Sequence, residues 1–266
     1  MPLRSSGRQG GSAAKGLLES LALGNADCDW DRFNPDWYVS HNYEVLSDDD
    51  REILQTVRDF FGAALEGQRI QRAIDVGAGP NIYPALAMLP FSNEIILREH
   101  GLANVLWLNR QVKDYSPTWD RYWDILAARR AYDQVEDPRA ELRERARVVK
   151  GNLFHLRRAE SQLGTMFFVA ESISEKRNEF KLAVHRFIGS LSAGAPFAAA
   201  FMENSKGYDV GSVRFPAVAV TRTDVEHCLS PLAHDLKIHS ISREGHRRDG
   251  YTGMILALGR AGHTVR

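Results

Sequence analysis

The stretch AIDVGAGPNIYPALAML, residues 73–89, ends an apolar run on two glycines, Gly77 and Gly79, and then turns helical. A glycine has no side chain to hold a ligand away from the backbone, and a helix start offers free N–H groups. Such a junction brings a nucleotide-like cofactor against the main chain. About twenty residues beyond Gly79 stands Glu99, a carboxylate able to accept hydrogen bonds from both ribose hydroxyls. The spacing lacks the third glycine of a dinucleotide turn: Asn81 follows, and Ile82 stands where that glycine would be. Nor does the turn end in the Gly-Lys-Ser/Thr that grips a triphosphate. A glycine turn with an acidic partner and no phosphate grip suits S-adenosyl-L-methionine. A nucleotide dehydrogenase and a purely structural tight turn stay open on these residues alone.

The elements that must carry these groups alternate. RAIDVGAG reads as a buried strand, PNIYPALAML as the start of a helix and SNEIILREH as a second strand, the signature of a parallel sheet. Short strands follow at RVVKGN, GTMFFVAES and APFAAAFME, with an amphipathic helix at NEFKLAVHRFIGSLSAG and a further helix at TRTDVEHCLSPL. LKIHSISREG and TGMILALGRA read as a closing strand pair. Upstream, Ile53, Leu54, Val57, Phe60, Phe61 and Leu65 recur at helical spacing behind a capping SDDD, and LLESLALG reads as a short helix. The pattern predicts an α/β fold. A disordered tail is expected over residues 1–16, an N-terminal lid and helix over 17–66 and a core over 67–266, with a helical insertion at about 113–146.

Composition narrows the partners. The 266 residues are 44% apolar, enough for one large core, and 34 basic residues balance 34 acidic ones. A neutral chain exerts no long-range pull on nucleic acid or a membrane surface, so a small-molecule partner is expected and no nucleic acid or membrane. No apolar run approaches the roughly 18–20 residues that cross a bilayer, and the first residues lack the core of a secretion signal. With two distant cysteines, Cys28 and Cys228, a cytoplasmic setting fits, and a monomer is expected. The nine histidines, among them His41, His100, His155 and His185, show no ligand spacing, so no metal is predicted.

IDVGAGPNIY with Pro80 and Tyr83, preceded some forty residues earlier by FNPDWYVSHNY, resembles one group of enzymes: the nicotinamide, phenylethanolamine and indolethylamine N-methyltransferases with thioether S-methyltransferase. The resemblance runs from about Phe33 to Arg260. It implies the class I methyltransferase fold, a Rossmann-like, mostly parallel sheet with one antiparallel strand near the C-terminus, flanked by helices and covered by an N-terminal helical lid. It also implies cofactor contacts from Tyr38, Tyr43, Gly77, Ala78, Gly79, Asn81, Tyr83, Glu99 and Asn104. Asn152 and Leu153 fall where the family flanks the adenine, and the Asn152 carbonyl oxygen can still meet an adenine amine. The substrate wall implied is Trp37, His41, Asn42 and Tyr208.

Two acids complete the implied site. Glu171 and Asp249 coincide with carboxylates that reach the substrate amine in the phenylethanolamine enzyme, so with Tyr38 they are the expected catalytic residues, binding an ammonium and accepting its proton. Arg247 or Arg248 could grip an anionic substituent. The expected function is methylation of a small molecule by S-adenosyl-L-methionine, at an amine or aromatic nitrogen. The alternatives are O-methylation of a phenol, with His41 or Glu171 as base, and a catalytically inactive cofactor-binding homologue.

Overall fold

β-branched and aliphatic residues place β1 (Ile70–Val76) and β2 (Ser92–Glu99) side by side in parallel register, Ala73 opposite Ile95 and Val76 opposite Arg98. The computed structural model describes residues 22–241 and 249–262. Its main sheet has seven strands in the order β3-β2-β1-β4-β5-β9-β8, with β3 Ala146–Lys150, β4 Leu163–Phe167, β5 Pro196–Glu203, β8 Ala233–Ile241 and β9 Gly253–Ala261. The first five are parallel, and β9 runs antiparallel to both neighbours. This is the mostly parallel sheet with one antiparallel strand near the C-terminus that the resemblance implied. A separate hairpin, β6 (Tyr208–Val210) and β7 (Val213–Phe215), has no counterpart in the sequence reading.

The strand order reverses between β1 and β4, which opens a crevice beyond their carboxyl ends. Helices cover both faces. After α1 (Pro35–Asn42), α2 (Asp48–Ala64) buries Ile53, Leu54, Val57 and Phe61, and Ser47 Oγ caps it by accepting the Asp50 N–H at 3.1 Å. The three acids of its first turn favour that end of the helix dipole. α3 (Tyr83–Met88) and α4 (Leu102–Gln111) follow β1 and β2. The segment between α4 and β3 holds a 3-10 turn, Pro117–Trp119, then α5 (Asp120–Ala127) and α6 (Pro138–Arg145). α7 (Arg177–Gly189) and α8 (Arg222–Leu229) complete the second face.

An aromatic cluster supports the crevice from below. Tyr83 stacks flat on Tyr122 with ring centres 5.5 Å apart, and Tyr43 and Trp119 pack beside them at 5.4 Å. Burying each such ring contributes about 2–3 kcal/mol, so this floor is among the firmest parts of the molecule. Two local expectations change. β4 ends at Phe167, because Phe168 takes φ +60° and turns the chain out of the sheet where GTMFFVAES read as continuous strand. LLESLALG lies mostly outside the described residues, and its last residues, Ala22–Gly24, are not helical. The 1–16 tail, Arg247 and Arg248 also lie outside the described residues. No helix among the described residues is long and apolar enough to cross a membrane.

Candidate active site

The turn after β1 begins by closing on its neighbour: the N–H groups of Gly77 and Ala78 both donate to the Arg98 carbonyl, at 2.8 and 3.2 Å. Gly77 (φ +67°) and Gly79 (φ +54°) are left-handed. A Cβ on Gly77 would stand 2.5 Å from Val169 Cγ1, so space as well as backbone angle demands glycine there. A Cβ on Gly79 would meet nothing nearer than 3.7 Å, and only its angle excludes a side chain.

Glu99, at the end of β2, is the fastener of this turn. Its Oε2 accepts the Gly79 N–H, and its Oε1 accepts those of His100 and Gly101, each at 2.8 Å. It is 7% exposed, and burial raises its pKa against the lowering pull of the backbone N–H groups. Asn104, one helical turn further on, has a buried Oδ1 with no hydrogen-bond partner among the described residues. A buried, unpartnered acceptor beside this carboxylate fits a ribose hydroxyl, which can donate to it.

Beneath the turn, Asp75 is buried and its Oδ1 accepts from Thr165 Oγ1 at 2.7 Å, while Oδ2 has no partner among the described residues. Burial pushes its carboxyl up to about 7; the Thr165 hydroxyl pulls it down and the Glu99 charge pushes it up. Asn81 closes the turn's far end, its Nδ2 donating to Tyr43 Oη at 3.3 Å and its Oδ1 accepting the Tyr83 N–H at 3.1 Å.

The turn, Asn81, Glu99 and Asn104 line an open cleft. Gly77, Ala78, Gly79, Asn81, Glu99, Asn104, Asn152 and Leu153 face one side; Tyr38, Tyr43 and Tyr208 face it from the lid and the hairpin. Phe33 packs between Tyr38 and Phe215, at 5.1 and 5.2 Å, and Trp30 and Tyr208 stack on either side of Phe215 at 5.3 and 5.7 Å. The result is a continuous aromatic wall.

Several expected site residues lie elsewhere. Tyr83 is fully buried beneath the floor, stacked on Tyr122 and not lining the cleft. Trp37 stacks on the exposed His41 at 4.7 Å on the outer side of α1, and half-buried Asn42 donates from Nδ2 to the Tyr38 carbonyl. None of these three lines the cleft. Tyr38 reaches the cleft from α1 and Tyr43 from the residue just beyond its end, while Trp37 and His41 stack on each other away from the lining. Glu171 is 0% exposed, accepting the Met202 N–H at 2.9 Å and the Ser172 hydroxyl at 3.1 Å behind the lining. Asp249 is an exposed acid paired with Arg214 at 3.3 Å. Asn152 lines the cleft, but its Oδ1 already accepts the Phe154 N–H at 2.9 Å, capping a 3-10 turn.

Among the lining residues that the sequence did not single out for the cleft are Asn25, His100, Phe168, Ser172 and Ile173. Ser172 and Ile173 were discoverable from their place beyond a strand end at the crevice, whereas Asn25, in a segment without periodicity, carried no signal.

A family model for the NNMT/PNMT/TEMT family matches residues 23–257, which takes in the lid, the glycine turn, Glu99 and both walls of the cleft. The chain belongs to this family. Among solved structures it is similar to a S-adenosylmethionine-dependent methyltransferase from Clostridium acetobutylicum, at 11% identity and TM-score 0.53, over 86% of this chain and 100% of that one. It is likewise similar to a possible exported protein from Bordetella parapertussis, at 12% identity and TM-score 0.52, over 86% and 79% of the two chains. At these identities the likeness is one of fold. No curated protein matches it. Family and fold make the protein a S-adenosyl-L-methionine-dependent methyltransferase, and the Asn104 acceptor and the side-chain-free turn at Gly79 suit that cofactor.

Proposed function

We propose that the protein methylates a small aromatic acceptor at a ring nitrogen. The observation that carries this reading is a cleft lined both by the glycine turn with Glu99 and by aromatic residues of the lid and hairpin, Phe33, Tyr38 and Tyr208. S-adenosyl-L-methionine, when bound, supplies a methyl carbon on a sulfonium and a thioether leaving group. The chain's own residues hold, orient and dry that centre. The backbone of residues 77–81 with Tyr43 takes the methionine end, Glu99 and Asn104 the ribose, and Asn152 and Leu153 the base. Tyr38, Phe33 and Tyr208 exclude water from the reacting end and set the acceptor ring, which leaves the nitrogen lone pair in line with the methyl carbon.

Nitrogen is favoured over oxygen by what stands around the wall. A pyridine-type lone pair forms the N–C bond as the C–S bond breaks, the electron pair passing to sulfur, and no proton has to leave. A phenol or an ammonium must first lose one to a base. His41 and Glu171 do not line the cleft, and Asp249 sits in a surface ion pair; the histidine that does line the cleft, His100, follows directly on Glu99 at the end assigned to the ribose.

The test is a screen of pyridines, quinolines, phenols and arylalkylamines with the cofactor, read as a mass gain of one methyl group. Ring nitrogens should be methylated, and turnover confined to phenols or alkylamines would overturn the nitrogen assignment. Failure of calorimetry to detect binding of S-adenosylhomocysteine would remove the whole reading.

A further inference from the structure

The segment from Asn25 to Arg32 crosses the cleft at one end, pinned on both sides. On one side Asp31 Oδ1 accepts the Leu102 N–H at 2.7 Å, and the Trp30 carbonyl lies so close to Gly101 that a Cβ there would stand 2.9 Å from it. On the other, the Asn25 N–H donates to Glu179 Oε2 at 2.8 Å at the start of α7, the helix that packs against the turn carrying Leu153. The Asn25 carbonyl accepts from Trp30 Nε1 at 3.1 Å. Both backbone polar groups of Asn25 are therefore committed. Asn25, only 8% exposed, lines the cleft, and its carboxamide has no protein partner among the described residues.

The asparagines of the cleft sort by what they already do. Asn81 is held at both ends by Tyr43 and Tyr83, and Asn152 caps its own turn through Oδ1. Asn104 stands beside Glu99 at the ribose position. Asn25 is left with both a donor and an acceptor uncommitted, on a segment anchored at Leu102 behind β2 and at Glu179 at the start of α7, and it lines the same cleft as Leu153. A carboxamide has the donor–acceptor pair that matches an edge of adenine, its oxygen accepting from the exocyclic amine and its nitrogen donating to a ring nitrogen.

We propose that Asn25, carried by the segment over the cleft, is a binding residue that reads the adenine amine of the cofactor. The inference rests on the methyltransferase reading above and assigns part of its cofactor specificity to a residue outside the glycine turn. Asn25 takes over the contact that the committed carbonyl of Asn152 is poorly placed to make alone.

Calorimetry with S-adenosylhomocysteine and with its analogue lacking the 6-amino group tests it on the full chain. The unaltered protein should prefer the amine-bearing ligand by about tenfold, the effect of one well-made hydrogen bond. Asn25→Ala should erase that preference, chiefly by weakening S-adenosylhomocysteine, and Asn25→Asp, which keeps the acceptor oxygen, should retain it. Both variants keep the backbone contacts to Glu179 and Trp30, and Asn25→Ser provides a second truncation should Ala lower the melting temperature. An unchanged preference in the truncated variants, or a change in acceptor KM with the preference intact, overturns the assignment. Binding of neither ligand by the unaltered protein instead overturns the reading beneath it.

Discussion

Glu99 Oε2 accepts the Gly79 N–H at 2.8 Å, so the acid that ends one strand and the glycine turn that ends its neighbour hold each other in place. The same carboxylate fixes the two N–H groups that open α4. Glu99→Ala removes three charge-assisted hydrogen bonds and a ribose partner together. Affinity for S-adenosylhomocysteine should fall by about a hundredfold or more, with a lower melting temperature. Calorimetry beside thermal melts checks this, and unaltered affinity would mean that Glu99 does not meet the cofactor.

Asp75 makes stability depend on pH. Its carboxyl is raised from 3.8 to about 7 by burial, so the folded state holds the proton more tightly than the unfolded chain. A raised value means that the neutral form's contribution is complete below about pH 4 and disappears as pH climbs through about 7. Asp75→Asn cannot ionise and keeps an oxygen for Thr165. Melting curves of the two proteins from about pH 4 to about pH 8 should diverge in the variant's favour as pH rises. A constant gap would exclude a buried titration at Asp75.

At Gly77 two separate penalties can be pulled apart. Alanine there adopts an unfavourable positive φ, about 1–2 kcal/mol, and drives its Cβ into Val169, about 1–3 kcal/mol more. Val169→Ala should relieve only the second. In denaturant melts the double variant should be more stable than the sum of the single changes by about 1 kcal/mol or more. Strict additivity would show that the two positions do not touch.

Glu171 and Asp249 should behave as structure, not as chemistry. Glu171→Ala strips the Met202 N–H of its acceptor in a sealed site, so a loss of about 2–4 kcal/mol of stability is expected. Asp249→Ala breaks an ion pair whose aspartate side chain is 62% exposed, and kcat, KM and melting temperature should all stay put. A selective rise in acceptor KM in the Asp249 variant would return that acid to the site.

Much of this was readable in advance because it follows from short-range rules. Gly77 and Gly79 announce a turn that only glycine can make, and Glu99 follows at the length of one helix and one strand. The lid was placed through FNPDWY, yet which of its side chains reach the cleft depends on how α1 and the residue that ends it seat on the core: Tyr38 and Tyr43 line the cleft, Trp37 and His41 do not. Phe168 shows a different shortfall: a bulky residue in an apolar run favours strand, yet it takes φ +60° with its N–H donating to the Ala200 carbonyl of the neighbouring strand. Asn25 joins the cleft through backbone contacts to Glu179, some 150 residues away, a pairing that no local pattern encodes.

The position of β9 bears on how the molecule comes into being. It lies between β5 and β8 although it follows both in the chain. While the protein is being synthesised, β5 must wait with an open edge, and β8 has no place to dock, until Gly253–Ala261 has emerged. The sheet is therefore closed from within by its latest strand, and a chain halted after Ile241 would carry a complete cofactor turn on a sheet whose β5 edge stays open to pairing with other chains.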